Sequence, residues 1–183
     1  MKEIVILVSM TGLMVLRWIH LLWACEGARV GRRVSSQVRN NDWPATALGF
    51  VYGFAFFVWL SRFWSTDHLT SGREVSGLCL MIIGVLFRLA GQDALRSAFS
   101  WYWAPSSSLC TSGIYKWMKH PLLFGYLLEI AALLIAAHTA PWACLILIGI
   151  SAALIWIQAI GEEKRLESRF GEQWRSFARG KWA

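Results

Sequence analysis

Two short polar clusters stand out in an otherwise apolar chain. His120-Pro121 and Glu162-Glu163 supply an imidazole and a pair of carboxylates, groups that hold ammonium and hydroxyl partners or move protons. Between them the chain runs from Pro121 to Gly161 with Glu129 as its only charge, long enough for two membrane crossings at about 20 residues each. His138-Thr139-Ala140-Pro141 breaks that run into a tight helical hairpin, because proline disfavours helix at the residue before it and begins the next helix well. The hairpin returns the second cluster to the level of the first. Singly, each has a plainer reading: Pro121 opens a helix with His120 just before it, and the glutamates are solvated, paired along their helix with Arg165 or Arg169. Their convergence favours a polar site. Arg88 and Glu129 are the other candidates, since ionisable groups inside a span face a partner or a wet cavity; they can also pair with each other.

The elements that must position these residues are membrane helices. Of the 183 residues 56% are hydrophobic and 16% charged, against about 45–50% and 25% in soluble domains, which argues against a soluble globule. Five spans are expected, at about residues 4–25, 43–63, 75–95, 121–137 and 141–160. The first reads as a retained helix and not a cleaved signal, because its opening lysine is followed at once by glutamate and no small-residue cleavage site closes a short apolar core. Thirteen of the 18 basic residues fall on the side holding the 26–42 and 96–120 segments and the tail; three fall on the other and two within spans. The positive-inside bias therefore places the tail in the cytoplasm and the N-terminus outside. Trp18, Trp23, Trp43, Trp59, Trp64, Trp142 and Trp156 read as an interfacial belt. Beyond Gly161, Leu166, Phe170, Trp174 and Phe177 recur every three or four residues among charges, the pattern of an amphipathic interfacial helix. The fold class expected is an all-α polytopic bundle, one membrane domain over residues 1–183.

The net charge of +7 does not point to nucleic acid, because the basic residues cluster at the ends of apolar segments and do not interleave with stacking aromatics on a polar face. Cys25, Cys79, Cys110 and Cys144 lack CxxC spacing, which suggests small core residues, with neither a disulfide framework nor a metal site. The segment from Arg96 to Lys119 is longer than a bundle connection needs. Its aromatics, Phe99, Trp101, Tyr102 and Trp103, then Tyr115 and Trp117, suit either a cover packed over the converging clusters or a re-entrant or interfacial element with no catalytic role.

Gly113-Ile114-Tyr115, Lys119-His120-Pro121 and Gly125, then Glu162-Glu163-Lys164-Arg165-Leu166 and Phe170-Gly171-Glu172-Gln173-Trp174, stand in this order around the hairpin. Together they resemble the C-terminal signature of integral-membrane methyltransferases, the isoprenylcysteine carboxyl methyltransferase family with the related phospholipid methyltransferases. That pattern is roughly G-x-Y, three residues, R-H-P-x-Y-x-G, a hairpin, then E-E-x-x-L-x-x-x-F-G-x-x-Y. Phe87-Arg88-Leu89-Ala90 is similar to the end of the family's third span, so the resemblance covers about residues 84–177. Lys119 stands where the pattern has arginine, Leu123 and Trp174 where it has tyrosine, and Gln158 where some members carry arginine.

The resemblance implies S-adenosylmethionine as cofactor, reached from the cytoplasm, with contacts from Tyr115, His120, Pro121, Glu162 and Glu163. It implies a lipophilic methyl acceptor entering from the bilayer, with the carboxylate of an isoprenylcysteine-like molecule favoured over a phospholipid amine or a small thiol. Arg88 is expected to steady an anionic acceptor, with Glu129 as its partner. Two other classes compete: a sterol-type reductase with a nicotinamide cofactor, and a non-enzymatic transporter or assembly subunit with a polar path through Arg17, Arg88, Asp93 and Glu129. The first would need a dinucleotide phosphate clamp, for which no basic, glycine-rich cluster is evident. The short chain reads as a prokaryotic inner-membrane protein.

Overall fold

The computed structural model describes residues 5–6, 8–16, 43–65, 72–95, 109–179 and 181. These are overwhelmingly helical. After a first helix, α1 (residues 8–16), come α2 (Trp43–Ser65), α3 (Gly72–Leu95), a 3-10 turn (Gly113–Lys116), α4 (Pro121–Ala136), α5 (Pro141–Phe170) and α6 (Glu172–Ala178). The second half of the expected first span, the Arg17 position and the aromatics from Phe99 to Trp103 lie outside the described residues.

Among the described residues three helices, α2, α3 and α5, are long and apolar enough to cross a membrane. At 1.5 Å per residue they measure about 34, 36 and 45 Å. The expected fourth span, α4, is apolar but has 16 residues, or about 24 Å, short of a hydrocarbon core of about 30 Å. Five crossings are thus an expectation; among the described residues three helices have the length and composition to cross.

α3 and α4 form the tightest pair. Gly77, Gly84 and Gly91 recur every seven residues along one face of α3, and α4 answers with Gly125, Ala132 and Ala136. A Cβ at Gly84 would meet the Gly125 carbonyl oxygen at 2.9 Å, and one at Gly125 would meet the Gly84 carbonyl at 2.6 Å. Backbones that close leave no room for a methyl group, the packing that small residues permit where lipid removes the hydrophobic drive between helices. α2 closes the bundle: the Tyr126 hydroxyl of α4 donates to the Leu48 carbonyl at 3.0 Å, and Tyr52 and Tyr126 stack with centroids 5.2 Å apart. Met10, Met14, Met81, Val85, Ile130, Leu133 and Leu134 fill the centre.

The outward faces are as apolar as the core. Phe50, Phe54 and Phe57 on α2 and Trp142, Leu145, Ile146 and Trp156 on α5 are exposed, a surface suited to hydrocarbon. Two expectations change here. Trp59 is buried in the core and does not join the interfacial belt, and Cys79 is exposed on α3 where a core position was expected.

The hairpin turn forms where Pro141 predicts it. Ala137 caps α4, His138 takes a left-handed φ of 53°, and Pro141 opens α5. The change of composition at Gly161, however, does not begin a new helix. α5 continues unbroken to Phe170, so its last ten residues project beyond the apolar stretch. The break comes at Gly171, whose φ of 51° and ψ of −120° suit a residue without a Cβ. α6 then turns back, and Trp174 and Phe177 pack with Tyr115 in a second core that includes Leu109, Ile114, Leu166 and Phe170.

Candidate functional site

The site grows from the two ends of the hairpin. Pro121 sits in the first turn of α4 with His120 as the preceding cap residue, which fixes the imidazole at the mouth of the bundle. Two turns of polar helix at the end of α5 face it. One ring nitrogen of His120, Nδ1, lies 3.1 Å from Glu162 Oε2 and the other, Nε2, lies 3.2 Å from Glu163 Oε1. An imidazole with a carboxylate at each nitrogen donates from both when protonated. Burial alone would push the His120 pKa down, but the hydrogen bonds and charges of Glu162 and Glu163 outweigh it and hold it above its ordinary 6.5.

Lys119 completes the cluster, its Nζ donating to Glu163 Oε1 at 2.7 Å. The partial burial of Glu163 raises its pKa, and the bonds from Lys119 and His120 more than reverse this, so it stays below its ordinary 4.5. The glutamates therefore bridge to α4, where the plainer reading of the sequence paired them along their own helix with Arg165 or Arg169. Sequence reading placed Lys119 only as a departure from the arginine of the pattern. Its direct bond to Glu163 needed the three-dimensional register of the hairpin.

Tyr115 lies beside the cluster on the 3-10 turn. It is buried with Trp174 and Phe177, and burial, then the negative charge of Glu162, drives its pKa strongly upward, so the phenol stays neutral and able to donate. Lys181 closes over this corner. Its Nζ donates to the Tyr115 carbonyl at 3.0 Å and sits 3.4 Å from the Phe177 ring centroid. An open groove of about 770 Å³ runs along the α5–α6 elbow, lined by Leu109, Thr111, Arg169, Phe170, Gln173 and Phe177.

Arg88 and Glu129 form a separate layer deeper in the bundle. Their side chains are 3.4 Å apart and almost fully buried, and the Arg88 guanidinium lies 4.9 Å from the centroid of Tyr126. Glu129 follows His120 by nine residues, half a revolution around α4 at 100° per residue and about 13 Å along it. His120 thus faces α5 while Glu129 faces α3, and the structure does not bring Arg88 into the His120 cluster.

A helical bundle with apolar outer faces, carrying a charged, half-enclosed site where a hairpin leaves the apolar layer, has the architecture of a membrane protein. The chain matches the family model described as phospholipid methyltransferase over residues 73–173, more than half its length, and it belongs to that family. The family falls within the group of membrane methyltransferases that the sequence motifs resemble. No curated protein and no solved structure gives a match.

Proposed function

We propose that the chain is an S-adenosylmethionine-dependent methyltransferase whose cofactor occupies the cytoplasmic end of the α4–α5 hairpin and whose acceptor is lipophilic. The observation that carries this is the bridge from Lys119 and His120 to Glu162 and Glu163. Two cations against two carboxylates fit an α-amino acid head: its ammonium takes the place of the Lys119 ammonium on Glu163, and its carboxylate accepts from the freed Lys119 and from His120. Glu162 remains for ribose hydroxyls, and the neutral Tyr115 phenol supplies a donor and an aromatic face for the sulfonium. Pro121 contributes by starting α4 where it does. The groove beside Phe170 and Phe177 has room for a purine. When bound, the cofactor supplies a methyl group on a sulfonium; the protein's part is orientation and exclusion of water.

For Arg88 and Glu129 we propose a positioning role. They pin α3 to α4 below the cofactor end, and an anionic acceptor would have to displace Glu129 to reach the guanidinium. An isoprenylcysteine-like carboxylate therefore loses the nearest cation that favoured it, whereas an amine needs none. The thirteen-to-three division of basic residues supports a cytoplasmic site.

Titrating the purified protein with S-adenosylhomocysteine and, separately, with NADPH tests the assignment. Saturable binding of S-adenosylhomocysteine alone is expected, weakened by about 1.5–3 kcal/mol in Glu163→Gln, the range of a charge-assisted hydrogen bond. Binding of NADPH alone would point to a reductase, and binding of neither to a non-enzymatic bundle.

A further inference from the structure

The cations around the charged cluster divide into two sets. Lys119 is spent on Glu163, Arg175 on Glu167 and Glu172, Arg179 on Glu172, and Lys181 on the Tyr115 carbonyl. Lys116 and Lys164 are exposed and make no ion pair among the described residues. Both stand where the helices leave the apolar layer. Lys164 follows Ile157 by seven residues and Ile160 by four, so it continues their exposed face of α5. It lies three residues beyond Gly161, about 4.5 Å, within the roughly 5–8 Å that headgroups add on each side of the hydrocarbon. Lys116 ends the 3-10 turn, and Trp117 directly after it is 76% exposed; Pro121 then opens α4. An indole, apolar but for one N–H, belongs at the headgroup level and not in open water. Tyr115, two residues earlier, is buried against Trp174 and Phe177. The turn thus points one aromatic inward to the site and one outward. It is stiff: the Tyr115 N–H donates to the Ser112 carbonyl at 3.2 Å, and those of Trp117 and Met118 donate to the Ile114 carbonyl at 3.1 and 3.3 Å. Whatever holds Trp117 therefore also holds Tyr115 and the chain leading into Lys119 and His120.

We propose that Lys116 and Trp117 bind the headgroup of an anionic phospholipid and so fix the turn that carries Tyr115, making affinity for the cofactor depend on the charge of the surrounding bilayer. Lys164 meets the same headgroup layer on the flank of α5. The effect on the cofactor rests on the methyltransferase reading above and adds its regulation; the lipid contact does not. Charge selects the partner. A zwitterionic headgroup brings its own cation to the surface, whereas an anionic one leaves its phosphate free to accept from a lysine ammonium. One lysine beside an anionic leaflet strengthens binding about fivefold, and its alkyl stem can lie along apolar surface while the charge stays at the boundary. A turn already held by lipid has less freedom to lose when a ligand settles against Tyr115 and His120, and the gain in affinity arises there.

The test uses the full chain reconstituted in vesicles of phosphatidylcholine alone or mixed with phosphatidylglycerol. Either lipid is supplied brominated on its acyl chains, and the share of tryptophan quenching that Trp117→Phe removes reports the lipid beside Trp117. Phosphatidylglycerol should dominate that share. Lys116→Gln should lower the preference about fivefold, and so should about 1 M salt, which screens exposed charges beyond about 3 Å. S-adenosylhomocysteine carries no net charge, so the surface potential does not concentrate it. It should bind the wild type severalfold more tightly in the mixed vesicles and bind Lys116→Gln equally in both. Equal quenching by the two lipids, or a preference that survives Lys116→Gln, would overturn the lipid site. A phosphatidylglycerol preference with one S-adenosylhomocysteine affinity in both vesicles would overturn its control of the cofactor. Absence of S-adenosylhomocysteine binding in every vesicle would overturn the methyltransferase reading, while the quenching would still decide whether Lys116 and Trp117 hold an anionic lipid.

Discussion

At the scale of single residues, the site is a clamp whose strength depends on protonation. His120 bridges two carboxylates and its pKa is raised, so its contribution to folding is complete below about 6.5, the ordinary value, and is lost as pH rises through the elevated one. Glu163 is shifted the other way; its contribution is present above about 4.5 and is lost as pH falls through the lowered value. The α4–α5 closure should therefore hold best between those limits and weaken on the alkaline side first. Melting of the detergent-solubilised protein between pH 6 and 9 is expected to show a falling midpoint that His120→Asn flattens. A wild-type midpoint constant over that interval would show that the imidazolium adds nothing. The clamp was legible in the sequence because Pro141 dictates where the chain turns, and counting back along two helices brings His120 and Glu162 to one level. The third member was not, since nothing in the spacing distinguishes a Lys119 that reaches Glu163 from one that points into solvent.

At the scale of elements, α4 is held on two faces by different means. On one it is bridged to α5 by the charged cluster; on the other it rests on α3 through the glycine seam and the Arg88–Glu129 pair. The seam sets where Arg88 lies relative to Gly125, and a Cβ built on Gly125 would come 2.7 Å from the Arg88 Cγ as well as 2.6 Å from the Gly84 carbonyl. Gly125→Ala should thus force backbone apart and destabilise the bundle by about 1–3 kcal/mol, as overpacking does. Gly149→Ala on α5, where a Cβ would meet nothing, should be neutral or slightly stabilising through helix propensity. Equal melting of the two variants would remove the seam as a determinant of helix spacing. The seven-residue glycine repeat was present in the sequence, but it reports close approach only once its partner helix is known. The continuity of α5 was hidden for a different reason. Composition changes at Gly161 because the solvent around the helix changes from hydrocarbon to water, and a change of solvent resembles a helix end in every respect except the backbone. Trp59 and Cys79 were misplaced on the same account: where core and lipid are equally apolar, hydrophobic periodicity no longer tells inside from outside.

At the scale of the whole molecule, the proposed reactants would arrive from opposite phases. The charged end of the hairpin is flanked by Tyr115, Trp174, Phe177 and Lys181, and the proposed cofactor would approach it from the cytoplasm. An acceptor sharing that entrance would compete for it. The flank of α5 is open instead, with Ile150, Trp156, Ile157 and Ile160 exposed on an apolar surface. We propose that the acceptor enters laterally, which would make chain length a determinant of binding. Each methylene moved into an apolar cavity contributes up to about 0.8 kcal/mol until the cavity is filled. Across a homologous series of methyl acceptors in detergent micelles, kcat/KM should climb with chain length and then level off, while the affinity for S-adenosylhomocysteine stays constant. A plateau reached already at the shortest, water-soluble acceptor would place the acceptor route through the cytoplasmic mouth, and the Tyr115 corner would then have to open on every turnover.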